Sequence, residues 1–344
     1  MSHMLDFTKG RAAISFRGET PWHGYGQVIM PEDDLDTIIR KSGADYDVIE
    51  RPVFYGVKNA EGKRVPITVP GKKALLRDDT QDFLSIVGSD YHTVQPKVVF
   101  EFFRELLKKQ GLVIETGGVL KDGNIVWALA KVDDSFRIFG QDEYRPYVLV
   151  ATSYDLSLST VAMFTGIRVV CWNTLSFSGA FTAGEERSDV FKVRHDREFH
   201  IQEAHGKLGL NEEAWKKHKA DIENLAGLHV SPDEVLEYFY EVAGMGDKIE
   251  RNEDNGSVIA FPEPSRVVRQ FINAYHNGPG SNLRSARNTM WGAVNAVTFY
   301  QDHLAPAGNR GKRFTSTTFG GGNTRKQHAF AMAIAKFEDA RVAA

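Results

Sequence analysis

Eleven histidines are present, and three of them, His195, His200 and His205, recur at intervals of five. On a helix that interval turns each side chain by about 140° from the last, whereas helical zinc ligands need an interval of four. The three do not share a face, and they read as surface or hydrogen-bonded histidines. Asp45 or Asp47 followed by Glu61-Gly62-Lys63 offers the residue types of a metal-dependent nuclease, whose acids and lysine face one magnesium ion. Asn59-Ala60-Glu61-Gly62 has the composition of a hairpin tip, so the turn is preferred and the nuclease is kept as an alternative. There is no Gly-x-Ser-x-Gly elbow and no phosphate-binding P-loop. Cys171 is the only cysteine. It sits in the apolar run Val169-Val170-Cys171-Trp172, where burial raises a thiol pKa, and it has no partner for an internal disulfide. No catalytic residue, metal or cofactor is expected.

Cations carry more information. Gly278-Pro279-Gly280-Ser281 precedes Arg284 and Arg287, and Phe319-Gly320-Gly321-Gly322-Asn323-Thr324 precedes Arg325 and Lys326. A glycine-rich turn at a helix start exposes backbone N–H groups, and with cations beside it can hold an anion. The alternative is ordinary capping glycine with solvated charge. Between the two loops, Arg310-Gly311-Lys312-Arg313-Phe314 places three cations beside one ring, which suits a phosphate backbone with a stacked base. Earlier in the chain, Lys72, Lys73, Arg77, Lys131, Arg137, Arg145 and Arg168 are candidates for a basic strip across a sheet. Arg168 interrupts an apolar strand, so it needs either a phosphate or a carboxylate such as Asp155.

The elements that would position these residues divide at about Gly184. Before it, strand-like runs occur at Tyr46–Phe54, Arg64–Val69, Lys73–Arg77, Phe83–Val87, Leu112–Leu120, Ile125–Val132, Tyr147–Tyr154 and Thr160–Cys171. A short helix is expected over Glu32–Lys41, and a long one over Lys97–Gln110, behind Pro96. After Gly184 the period becomes 3.6, with helices over Arg197–Leu208, Asn211–Leu225, Ser231–Ala243, Ser265–His276, Ser285–His303 and Thr324–Arg341. The expectation is an α+β protein. Residues 4–184 form an antiparallel sheet packed on a long helix, and residues 185–344 form a mostly helical region.

The formal net charge is −3, which gives no overall basic footprint. Its distribution is polarised. Residues 211–255 hold 12 acidic against 5 basic side chains, and residues 281–328 hold 7 basic against Asp302 alone. No apolar run of 18 residues spans a membrane, and no basic segment followed by an apolar core marks a signal peptide. Met1-Ser2-His3-Met4 has the look of an expression remnant. A cytoplasmic protein of a reducing compartment is expected.

Three ordered segments carry a resemblance. Pro21-Trp22-His23-Gly24-Tyr25-Gly26, Arg168-Val169-Val170-Cys171-Trp172-Asn173-Thr174-Leu175 and Trp291-Gly292-Ala293-Val294-Asn295-Ala296-Val297 are similar to motifs of the phage/plasmid-like proteins of domain-of-unknown-function family 932. The similarity runs from about Phe16 to Ala335. The order of elements in the β-rich half also resembles, at fold level, the Rad-fifty-two type single-strand annealing proteins. Those place DNA in a basic groove of a multisubunit ring. The resemblance implies a mobile-element protein that binds and anneals single-stranded DNA in recombination or replication, as a homo-oligomer. DNA is preferred to RNA as the partner. A phage factor that inhibits a host defence or replication protein, using the acidic segment, is the alternative.

Overall fold

The computed structural model describes residues 5–7, 9–18, 25–109, 112–132, 135–168, 170, 173–176, 190–208, 212–308, 313, 316–318 and 320–343. It is a mixed α/β structure, with sheets and helices, and it divides into two units that interleave along the sequence. The first comprises 1–133, 147–163 and 190–208; the second comprises 134–146, 164–189 and 209–344. No helix among the described residues is long and apolar enough to cross a membrane.

The first unit holds two sheets. One is the three-stranded antiparallel sheet β3 (Val48–Lys58), β4 (Arg64–Arg77) and β5 (Phe83–Gly88). The runs expected at Arg64–Val69 and Lys73–Arg77 are thus a single strand, β4. The other pairs β6 (Val113–Leu120) with β7 (Ile125–Lys131) through a turn in which Lys121 and Asp122 both have φ 53°. Asn124 closes that turn by donating to the Lys121 carbonyl from its backbone and its side chain. Strand β6 pairs on its far side with β1 (Ile14–Phe16), which runs parallel to β2 (Gln27–Val28). Strand β7 pairs with residues 147–153 of β9 (Asp142–Ser153), and residues 160–163 of β10 (Thr160–Arg168) pair with β12 (Val190–Val193). Helix α1 (Leu35–Lys41) is capped by Asp34, whose carboxylate accepts from the Thr37 amide.

The long helix expected over Lys97–Gln110 is two short ones, α2 (Pro96–Glu101) and α3 (Arg104–Lys109). They break at Phe102 and Phe103, both fully buried with rings edge-to-face at 5.2 Å. The His205 ring, from α4 (Ile201–Leu208), donates to the Phe102 carbonyl at 2.8 Å. That acceptor therefore has a partner outside the helix.

The second unit takes residues 142–146 of β9, paired antiparallel with β8 (Phe136–Ile138), and residues 165–168 of β10, paired with β11 (Asn173–Ser176). Its helices are α5 (Glu212–Gly227), α6 (Pro232–Val242), α7 (Arg266–Asn277), α8 (Met290–Phe299) and α9 (Gly321–Ala343). A two-stranded pair, β13 (Glu250–Arg251) and β14 (Val258–Ala260), lies in the segment between α6 and α7. Ser231 caps α6 reciprocally: its hydroxyl accepts from the Glu234 amide, and Glu234 accepts from the Ser231 amide at 2.7 Å. Helix α8 is buried from Met290 to Thr298, as expected of a helix apolar all round. Its entry needs Gly292, where a Cβ would lie 2.0 Å from the Ala286 carbonyl oxygen. A π-helical turn, Tyr300–Leu304, follows it.

Candidate nucleic-acid interface

Three of the expected cations are buried in ion pairs. Arg77 donates to Asp6 at 2.6 Å and to both oxygens of Asp79 at 3.0 Å, and lies 4.0 Å from the Tyr46 ring centroid. Burial works against its charge, but the bonds to Asp79 and Asp6 prevail and raise its pKa. Lys326, on α9, is fully buried against Asp302 at 2.7 Å, and burial lowers its pKa despite that partner. Arg168 is 2% exposed. The carboxylate it meets is Asp142, with Nε 2.8 and 2.9 Å from the two oxygens, while Nη2 donates to the Gly280 carbonyl at 3.1 Å. Asp155, the carboxylate nominated from sequence, pairs with Lys121. Arg77, Arg168 and Lys326 thus spend their charge on internal carboxylates and present none to a surface ligand.

The remaining cations stay outside. Lys73 is tied to Glu50 and the Tyr91 carbonyl, and Arg145 to Glu143 at 2.6 Å. Lys72, Arg284, Arg287 and Arg325 are exposed, and Lys131 is half-buried. Arg313 donates to the carbonyls of His303 and Ala305, capping the end of the π-helical turn. Arg310, Lys312 and Phe314 lie outside the described residues, as do Cys171 and Pro21-Trp22-His23-Gly24.

The two glycine-rich turns are not helix-terminal anion cradles. Gly278 closes the C-terminal end of α7 by donating to Ala274, and α8 begins only at Met290. Gly280 turns its carbonyl to Arg168. At the start of α9, the amides of Gly320 and Gly322 are taken by the Ser316 carbonyl and hydroxyl. The histidine series is likewise dispersed in role. His195 stacks on Tyr91 at 4.5 Å between centroids, and His205 serves the Phe102 carbonyl. No group of three or more potential metal ligands occurs among the described residues. Glu61-Gly62-Lys63 sits at the β3–β4 tip, where Gly62 has φ 74°.

A surface site does form in the second unit, above the Arg168 pair. The β8–β9 turn carries Phe139, whose φ of 48° is uncommon for a bulky residue, and leaves it 45% exposed. The Arg284 guanidinium lies over this ring, 4.9 Å from its centroid. Arg137, across the hairpin from Glu143, and Arg145 add cations to the same hairpin. What holds ring and guanidinium together is underneath. Asp142, three residues after Phe139, accepts from the Ser285 hydroxyl at 2.6 Å, and Ser285 is the neighbour of Arg284. Arg168 fixes that same carboxylate and the Gly280 turn that leads to Arg284. Beside Arg168 a shallow recess opens among Tyr275, Gly278, Pro279, Asn295 and Phe299; burial pushes the Tyr275 hydroxyl up to about 12.

Sequence reading found Arg284, Arg145 and Arg137 but missed Phe139. Phe136-Arg137-Ile138 and Glu143-Tyr144-Arg145 alternate on either side of Gly140, but each run is only three residues long, and a lone exposed ring has no periodic signal. A half-open ring with one guanidinium over it and further cations on its hairpin offers a base a stacking surface and a phosphate a counter-charge.

A family model described as Domain of unknown function (DUF932) matches residues 83–335. No curated protein and no solved structure matches the chain.

Proposed function

The chain belongs to the family of the Domain of unknown function (DUF932), and on that premise we propose that it is a cytoplasmic single-stranded-DNA binding and annealing protein of a phage or plasmid, acting in recombination or replication. The observation that carries this reading is the Phe139–Arg284 pair, an exposed ring and guanidinium held by the buried Arg168–Asp142–Ser285 network. One base stacks on Phe139 while Arg284, Arg287 and the exposed Arg137 neutralise phosphates and release counterions. The neighbouring bases stay free to test pairing with a second strand, and neither metal nor nucleotide enters.

The acidic segment supports a protein-inhibitor reading less well. Its Glu241 is engaged at 3.0 Å by Lys336, from outside the segment, which reduces the charge it shows a partner. Homo-oligomerisation as a ring belongs to the same proposal; light scattering at tens of micromolar should give a multiple of the chain mass.

The test is fluorescence anisotropy of a labelled oligonucleotide at two salt concentrations. Wild-type protein should bind single strands much more tightly than millimolar at low salt. Phe139→Ala should weaken binding by about 1–3 kcal/mol with the salt slope kept, because stacking releases no counterion. Arg284→Ala should reduce the slope by roughly 0.7 units. Wild-type affinity no better than millimolar at low salt would remove the proposal.

A further inference from the structure

Strand β5 covers β4 only over Lys72–Leu76. Beyond that point β3 and β4 continue as a two-stranded ribbon with no third strand in their sheet, pairing Phe54 with Thr68, Tyr55 with Ile67, Gly56 with Pro66, Val57 with Val65 and Lys58 with Arg64. Directly opposed residues share a face, and faces alternate along each strand. One face is therefore Phe54–Thr68, Gly56–Pro66 and Lys58–Arg64; the other carries Tyr55, Val57, Val65 and Ile67.

The first face is built in an order that folding alone does not favour. Phe54 is 54% exposed. Gly56 and Pro66 make a low floor, and a Cβ on Gly56 would sit 3.9 Å from the Arg64 side-chain stem. Lys58 and Arg64 then oppose each other directly, a like-charge pair that destabilises a sheet unless an anion joins it. Neither has an ion-pair partner among the described residues. Pro52, Pro66 and Pro70 lie within the two strands. Pro66 removes an N–H from the ribbon itself, and Pro52 and Pro70 remove theirs beside it, which disfavours the addition of another strand at its edges. A partner consequently meets the ribbon face-on. These residues lie outside the span matched by the family model.

We infer that this face of the β3–β4 ribbon is a second single-stranded nucleic-acid contact, with Phe54 stacking a base and the Lys58–Arg64 pair holding backbone phosphate. Ring and cation pair stand four residues apart along β3, about 13 Å. A strand laid along the face meets the ring with a base and the cations with phosphates farther on. The class of ligand rests on the proposed function; the residues and the unit are different ones.

The experiment is anisotropy of a labelled single-stranded oligonucleotide with the full chain across a salt series. Lys58→Ala/Arg64→Ala should lower the slope of log affinity against log salt by about 1.4 units. Phe54→Ala should weaken binding roughly 5- to 150-fold at unchanged slope. Tyr55→Ala, on the opposite face, should bind within about twofold of wild type. All four positions are exposed, so melting temperatures should change little, and the double variant should melt no lower than wild type as its repulsion is relieved. If wild type binds and Phe139→Ala weakens it while the ribbon variants keep wild-type affinity and slope, the ribbon inference falls and the proposed function stands. If wild type binds no single strand, both fall. If the ribbon variants change the light-scattering mass but not the affinity, the ribbon is a self-association surface and the inference is overturned.

Discussion

Ser285 donates its hydroxyl to Asp142 at 2.6 Å across 143 residues of sequence. Its chain neighbour Arg284 rests on Phe139, which lies three residues before Asp142. One buried hydrogen bond therefore joins the two segments that make the surface pair. Ser285→Ala should cost about 1.5–3 kcal/mol in urea unfolding, the range for a bond to a charged group. It should also weaken oligonucleotide binding at unchanged salt slope, because no phosphate contact is removed.

Arg168→Ala strands Asp142 as a buried charge and should cost about 3–5 kcal/mol of stability. Its effect on the salt slope should be nil, since the guanidinium faces Asp142 and Gly280. Replacing Arg168 and Asp142 together with leucine should cost less than Arg168→Ala alone. Equilibrium unfolding of wild type and the two variants decides this. A loss of slope in a folded variant with both Arg168 and Asp142 replaced by leucine would instead place Arg168 on the ligand.

His218 is buried beside Tyr144, Trp215 and Phe330, and burial pushes its pKa down to about 3. The unfolded chain takes up this proton near pH 6.5, and the folded chain refuses it until about pH 3. The stability gained by keeping His218 neutral is complete above about pH 6.5 and is lost as pH falls toward 3. The slope is up to ~1.4 kcal/mol per pH unit. Carboxylates with lowered pKa values, such as Asp79 and Asp155, act mainly below about pH 4.5. Urea midpoints between pH 6.5 and 4.5 should therefore fall less steeply in His218→Gln than in wild type. Some slope should remain, because burial lowers His195 in the same direction.

Arg313 differs from Arg310 and Lys312 in what its loss should do. Its guanidinium caps the carbonyls of His303 and Ala305. Arg313→Ala should lower the melting temperature. Arg310→Ala/Lys312→Ala should leave melting unchanged and reduce the salt slope by about 1.4 units. A triple variant with wild-type slope would make all three solubilising or structural.

Local rules made parts of this architecture legible in the sequence. Ser231-Pro232-Asp233-Glu234 announces a capped helix, and the capping box is there. Lys121-Asp122-Gly123-Asn124 announces a hairpin, and β6 and β7 flank it. Partners distant in sequence were not legible. Arg168 asked for a carboxylate, but choosing Asp142 over Asp155 requires the register of β8, β9 and β10. The break at Phe102 depends on His205, 103 residues away. Lys326 reads as an anion-binding cation beside a glycine run, and only the placement of α9 buries it on Asp302.

The interleaving of the two units has a consequence for biosynthesis. The first unit takes its last segment, residues 190–208, after the chain has already contributed residues 134–146 and 164–189 to the second. A ribosome must therefore emit the chain through Leu208, roughly 10–40 s of synthesis, before the first unit can close. Through that interval the Phe136–Ile138 hairpin, already paired with β9, still lacks Trp215 of α5, Ser285 and α8. Nascent chains stalled shortly before residue 190 should bind chaperones and be cut readily, whereas release of the finished chain lets both units close together.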